Sequence, residues 1–143
     1  MSLRDPSATL SARPLPDPIR EFLAEPRIAT IATINPDGSP HQAVIWYALD
    51  GDHLLVNSRR GRRWPRNLLR DGRISVAVPE AERPHHWVGV KGRAELLHEG
   101  DEAIADIGAL ARRYGEDPAQ YAGQDRVSYR IVAASTFEYG ADE

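Results

Sequence analysis

Residues 27 to 58 read RIATIATINPDGSPHQAVIWYALDGDHLLVNS, and the fold turns on how many strands this stretch holds. RIATIATI, residues 27 to 34, is rich in β-branched side chains, which suit a pleated, half-buried surface. Asn35-Pro36-Asp37-Gly38 closes it as a tight turn. HQAVIWYAL, residues 41 to 49, follows as a second strand. Ala43, Ile45, Tyr47 and Leu49 fall on one face, Val44 and Trp46 on the other, so both faces are expected to be covered. Asp50-Gly51-Asp52 turns the chain into HLLVNS, a third strand. The stretch therefore predicts a three-stranded antiparallel meander.

Upstream, Asp17-Pro18 places an N-cap before a proline at the first helical position, and Ile19, Phe22 and Leu23 share one face of a short helix ending before Pro26. Residues 1 to 16, rich in Ser, Pro and Arg, are expected to form a flexible arm, leaving 17 to 143 as a single domain. Downstream, Ile74, Val76 and Val78 alternate in RISVAV. In WVGVKGRAELL, residues 87 to 97, Val88, Val90, Ala94 and Leu96 point one way and Lys91, Arg93 and Glu95 the other. Asp101 is expected to cap a helix carrying Ile104, Ile107, Ala111 and Tyr114 at helical spacing, with Gly115 ending it. RVSYRIVAASTFEYG is a last long strand with Val127, Tyr129, Ile131, Ala133 and Phe137 on one side. Six strands with short turns, and helices only as side pieces, predict a mainly β, small antiparallel barrel. No Gly-rich turn leads from a strand into a crossover helix, which argues against a doubly wound dinucleotide-binding fold.

The composition is that of a soluble globular chain, 143 residues long with 41% hydrophobic and 27% charged residues. A net charge of -3 argues against a dedicated nucleic-acid binder. The absence of cysteine removes thiolate chemistry and favours a cytoplasmic location. No stretch approaches the ~18 apolar residues of a membrane span. The adjacent histidines His85 and His86 lack a spaced third ligand, so no metal site is expected.

Against that acidic background, NSRRGRRWPRNLLRDGR, residues 57 to 73, carries seven arginines. Asn57 and Ser58 end a strand, Gly61 frees the turn, and Pro65 sits in the first turn of a helix running to Leu69 or Arg70. A helix start offers unpaired N–H groups and a positive dipole end. Arg59, Arg60, Arg62 and Arg63 surround it, so guanidinium forks and backbone donors can converge on a phosphate or carboxylate. A solvated surface face is the competing reading. Arginine at a helix start is the unfavourable sign for the dipole, a conflict that a bound anion relieves. Trp64 interrupts the run with a flat aromatic surface.

The run FLAEPRIATIATINPDGSPHQAVIWYALDGDHLLVNSRRGRRWPRNLLRDGRISVAV, with WVGVKGRAEL after it, resembles the pyridoxamine-5'-phosphate-oxidase-like split-barrel family. In detail it is most similar to the branch that uses the deazaflavin coenzyme F(420). The resemblance implies a six-stranded antiparallel Greek-key split β-barrel with short flanking helices, forming a homodimer with flavin-like cofactors in clefts between subunits. It implies that the cofactor phosphate lies against Asn57, Ser58, Arg62, Arg63 and the following helix start, with Arg59, Arg60 and Trp64 nearby. It further implies that the ring lies near Val44, Ile45, Trp46 and Tyr47, and that the second subunit contributes from around Val78 and Trp87. Many relatives have lysine where Trp64 stands, so one phosphate contact is either lost or taken over by Arg63 or Arg60.

FMN carries one phosphate, whereas coenzyme F(420) carries a phosphodiester and a glutamate tail, and four closely spaced arginines suit the longer anion. The implied reaction is hydride reduction of a small conjugated organic substrate, with the cofactor carrying the chemistry. Tyr47, His41 and His86 are the candidates for a proton donor. The alternatives are an FMN-dependent oxidoreductase on the same fold and a non-catalytic flavin or tetrapyrrole binder.

Overall fold

In a computed structural model, which describes residues 5–142, the chain forms seven strands and three α-helices. In chain order these are α1 (Asp17–Ala24), β1 (Ala29–Ile34), β2 (Pro40–Ile45), β3 (Ala48–Asp50), β4 (His53–Arg59), α2 (Arg63–Arg70), β5 (Arg73–Pro79), β6 (Trp87–Glu99), α3 (Gly100–Arg113) and β7 (Arg126–Tyr139). All strands join one antiparallel sheet in the order β2-β1-β5-β6-β7-β4-β3.

This order corrects the expected six-stranded barrel and the three-strand meander. The predicted strand 41 to 49 breaks at Trp46 and Tyr47, and its halves, β2 and β3, become the two opposite edges of the sheet. A flat seven-stranded sheet would hold its edges about 29 Å apart. The three peptide links from Ile45 to Ala48 span at most about 11 Å. The sheet must therefore curl until its edges approach, yet no ladder joins β2 to β3, and the barrel stays open there.

Side chains from the end of α3 hold the break. The Tyr47 N–H donates to the Tyr114 hydroxyl at 3.3 Å, and the Tyr47 carbonyl accepts from Arg113 Nε at 3.0 Å. These contacts replace the ladder partners that Tyr47 lacks. Arg113 also donates to the carbonyls of Leu23, Ala24 and Glu25, thereby capping the C-terminus of α1. Trp46 stacks on the Tyr114 ring at 5.1 Å and 7°. The Tyr47 side chain is fully buried, its hydroxyl donating to the Glu25 carbonyl at 3.0 Å.

The concave face carries the core. Ile31 pairs with Val76 and Val76 with Val90, while Val78 pairs with Val88, and all are buried. Ile19, Phe22 and Leu23 of α1 and Trp64 and Leu68 of α2 join the same cluster. α1 begins at Asp17 itself, with Pro16 at the cap, and α3 begins at Gly100 with Asp101 in its first turn. Of the segment expected as an arm, Leu15 is buried and the Arg13 N–H donates to the Ala133 carbonyl. The Asp5 carboxylate accepts from the Gly72 N–H. Residues 1 to 4 of that arm lie outside the described residues.

Two alternation-based assignments are overturned where the β6–β7 ladder shifts register, at Lys91/Gly92 and next to Leu96/His98. Phe137 and Leu96, expected on the core face, are 43% and 48% exposed. The first shift skips Ala134 of β7 and turns Phe137 to the other face, whereas Leu96 sits at the edge of the second, where Leu97 is skipped. Phe137 now pairs with Gly89, where a Cβ would lie 2.2 Å from its ring. The convex face consequently carries the cross-strand row Val44, Thr30, Ala77, Gly89 and Phe137. Val44 is 71% exposed, so within one chain that face of the 41 to 49 segment is open, contrary to expectation.

Candidate functional site

A cavity of about 600 Å³ opens where the sheet breaks. Ala43, Val44, Ile45 and Trp46 form one wall, and Ile107 and Leu110 of α3 form an apolar side. Asn57 and Ser58 at the end of β4 lead to Arg62, Arg63 and Trp64 at the start of α2. Ile28, His41, Tyr121 and Arg126 complete the lining. The result is an apolar recess with its cations gathered at one end.

The seven arginines of residues 59 to 73 divide by what they touch. Arg62 and Arg63 line the cavity, are exposed, and make no hydrogen bond or ion pair through their side chains among the described residues. Arg60 is spent on Glu99 at 2.8 Å and Asp125 at 3.2 Å. Arg59 is exposed and outside the lining. Arg73 pairs with Asp71, Arg70 donates to the Ile34 carbonyl and to Asn67, and Arg66 is exposed. α2 has no side-chain cap and no acidic residue in its first turn; the Asp37 carboxylate stands in the field of Arg63 without pairing with it.

Of the other residues named from sequence, Val44, Ile45, Trp46, Asn57, Ser58 and Trp64 line the cavity, whereas Tyr47, Val78 and Trp87 do not. Tyr47 and Val78 are fully buried in the core. Trp87 packs edge-on against Phe137 at 4.7 Å, its strand partner at that end being Tyr139. Trp64 is 5% exposed and tilts against Tyr129 at 6.2 Å, which makes it a wall built from the core. His41 alone of the three proton-donor candidates reaches the cavity. Burial raises the Tyr47 hydroxyl pKa, and both ring nitrogens of His86 face carboxylates, Glu80 at 3.0 Å and Glu138 at 2.8 Å.

Sequence reasoning missed Arg126, Ile28, Ile107, Leu110 and Tyr121 as lining residues. Arg126 opens β7 opposite Arg59, a pairing between strands far apart in sequence. It is 8% exposed. Its Nε donates to Asn57 Oδ1 at 2.9 Å, its Nη1 to Gln124 Oε1 at 3.0 Å, and its guanidinium lies 5.2 Å from the Tyr121 ring centre. Burial presses its pKa downward; Tyr121 pushes it back up, and the charges of Arg62 and Arg59 add weaker downward pushes. Asn57 Nδ2 donates to the Ala103 carbonyl at 2.9 Å and Ser128 Oγ at 2.8 Å. Ser128 Oγ donates to Asp106 Oδ2 at 2.6 Å, which also meets His98 Nδ1 at 2.7 Å.

The histidines set a pH dependence. Hydrogen bonds donated to Glu138 and Glu80 raise His86 above 6.5, and the one donated to Asp106 raises His98. Their stabilisation is full below 6.5 and lost as pH rises through the raised values. Glu80 and Asp71 are held below the usual carboxylate range by His86 and Arg73, and their share is lost as pH falls through those lowered values. The melting temperature is therefore expected to peak near pH 5 to 6 and to fall as the pH rises toward 9. Calorimetry of H86N/H98N should show that alkaline fall removed; an unchanged profile contradicts the assignment.

Comparison with known proteins adds the family. The model of the pyridoxamine 5'-phosphate oxidase family matches residues 15–139. A solved structure described as an F(420) reductase superposes with a TM-score of 0.72 at 24% identity, covering 86% of this chain and 98% of that one. A conserved hypothetical protein of Mycobacterium tuberculosis gives 0.74 at 27% identity, covering 90% and 86%. A haem storage protein of Vibrio cholerae gives 0.69 at 22% identity, covering 90% and 96%. No curated protein matches.

Proposed function

The chain belongs to the pyridoxamine 5'-phosphate oxidase family, and on that premise we propose that its cavity binds a flavin-type cofactor and that the protein is an oxidoreductase. The observation that carries this reading is the pairing of an apolar recess with Arg62, Arg63 and Arg126, none of which meets a carboxylate within ion-pair distance among the described residues. A planar, apolar ring with an anionic extension matches that division. We favour the deazaflavin coenzyme F(420) over FMN. Past Arg63 and His41 a second recess continues over Asn35, Pro36 and Asp37, giving room for a tail longer than one phosphate.

Bound there, either cofactor would supply hydride transfer, in this reading to a small conjugated organic substrate. The chain's share is to bind and orient. Val44, Ile45 and Trp46 offer an apolar wall for the ring, and Arg62 and Arg63 neutralise the anionic part. The His41 imidazole lines the cavity and can return a proton; otherwise solvent does so. The open row Val44, Thr30, Ala77, Gly89 and Phe137 is proposed to pair with a second copy of the chain. Val44 belongs both to that row and to the cavity wall, so dimerisation would close the recess. Sedimentation should report a dimer, and a monomer at all concentrations contradicts this.

The test of the cofactor is a fluorescence titration with the deazaflavin coenzyme, FMN and haemin. The deazaflavin should bind most tightly. His41 in the cavity and the likeness to a haem storage protein support a second reading, tetrapyrrole binding. Stoichiometric haemin binding with neither flavin bound would establish that reading instead.

A further inference from the structure

Asn57 was expected to touch the phosphate, yet its amide has nothing left to give. Both N–H groups of Nδ2 are committed, to the Ala103 carbonyl and Ser128 Oγ, and Oδ1 accepts from Arg126. Ser128 in turn is anchored on Asp106. The chain of bonds Asp106, Ser128, Asn57, Arg126 runs from α3 through β7 and β4 and ends at the cavity.

Arg126 is an unusual terminus. It is more than nine-tenths buried, has no carboxylate within ion-pair distance among the described residues, and stands in the field of Arg62 and Arg59. Nε and Nη1 are used, whereas Nη2 has no hydrogen-bond partner among the described residues and is not sealed from the cavity. A buried guanidinium without a counter-ion is costly to keep. The start of α2 points the same sign of potential into the same recess.

We propose that Arg126 is the inner anion contact of this cavity, meeting a phosphate or phosphodiester oxygen of the ligand, and that Asn57, Ser128 and Asp106 are positioning residues that aim it. The inference rests on the reading of the cavity as a cofactor site. It moves the deepest contact from the arginine-rich segment to the first residue of the last strand.

The test compares FMN with riboflavin, which lacks the phosphate, and adds the deazaflavin coenzyme and inorganic pyrophosphate. Flavin fluorescence and the emission of Trp46 and Trp64, which line the cavity, report binding. R126M should lose about 10- to 100-fold in affinity for FMN and for the deazaflavin coenzyme, with riboflavin unchanged. Its unfolding midpoint should be no lower than the parent's, because removing an unpaired buried charge relieves the free protein. N57A should weaken FMN binding in the parent and cost nothing further in the R126M background; a merely structural role would add. If N57A does not fold, S128A, which releases Asn57 without removing it, serves the same comparison.

FMN bound equally by R126M and parent, while R62A/R63A loses it, would overturn the Arg126 assignment and leave the cofactor reading standing. If the parent binds no flavin or deazaflavin but binds pyrophosphate in an Arg126-dependent manner, the anion contact stands and the cofactor reading falls. If it binds none of these, both fall.

Discussion

Replacing Arg62 and Arg63 together with alanine is expected to lower affinity for the phosphate-bearing cofactor by about 100-fold or more, without loss of the fold. Each guanidinium that meets an anion through charge-assisted hydrogen bonds contributes about tenfold or more. Neither side chain makes a hydrogen bond or ion pair among the described residues, and only the weak field of Arg63 on Asp37 is lost with them. Their removal leaves the α2 start uncapped but less crowded with positive charge. Fluorescence titration gives the affinity and urea denaturation the stability. Unchanged affinity would remove these two residues from the site. A matching R60A variant should behave differently, with affinity nearly unchanged, because Arg60 serves Glu99 and Asp125.

Gly92→Ala is expected to destabilise the protein by about 3 kcal/mol or more, the largest stability effect of any single methyl group here. At this bulge a Cβ would lie 1.9 Å from the Val132 carbonyl oxygen. That oxygen is backbone of the neighbouring central strand, so β6 and β7 must separate to admit it. Gly89→Ala offers the control: its Cβ would lie 2.2 Å from the Phe137 ring, but that half-exposed side chain can swing away. It should cost clearly less. Urea midpoints compare them, and a Gly92→Ala protein within 1 kcal/mol of its parent would show that the two strands are not held as described.

Local chemistry was readable from the sequence, and contacts between distant segments were not. The turn at Asn35 to Gly38, the β-branched run before it and the α2 region at Pro65 are specified by neighbouring residues, and each is found where expected. The break at Trp46 and Tyr47 left no trace, because apolar alternation continues through it. What stops the strand is Arg113 and Tyr114, more than sixty residues further on. Phe137 failed for a related reason: alternation counts residues, and the β6–β7 register skips Ala134 between Ala133 and Phe137.

The candidate site divides in the same way. Arg62 and Arg63 are legible because the strand end, the turn and the helix start are adjacent in sequence. Arg60 has the same local setting and is lost to carboxylates at 99 and 125. Arg126 could only have been recognised by pairing β7 with β4, which places it opposite Arg59. Trp64, the aromatic in the middle of a basic run, is explained by helical geometry: it points from α2 into the core while Arg62 and Arg63 face the recess.

The crystal structure of the protein grown with the deazaflavin coenzyme, and in parallel with FMN, tests the central claim most directly. The account predicts density for the ring against Val44, Ile45 and Trp46, with the phosphate among Arg62, Arg63 and Arg126. A cofactor lodged elsewhere, or a phosphate directed away from those three arginines, would contradict it.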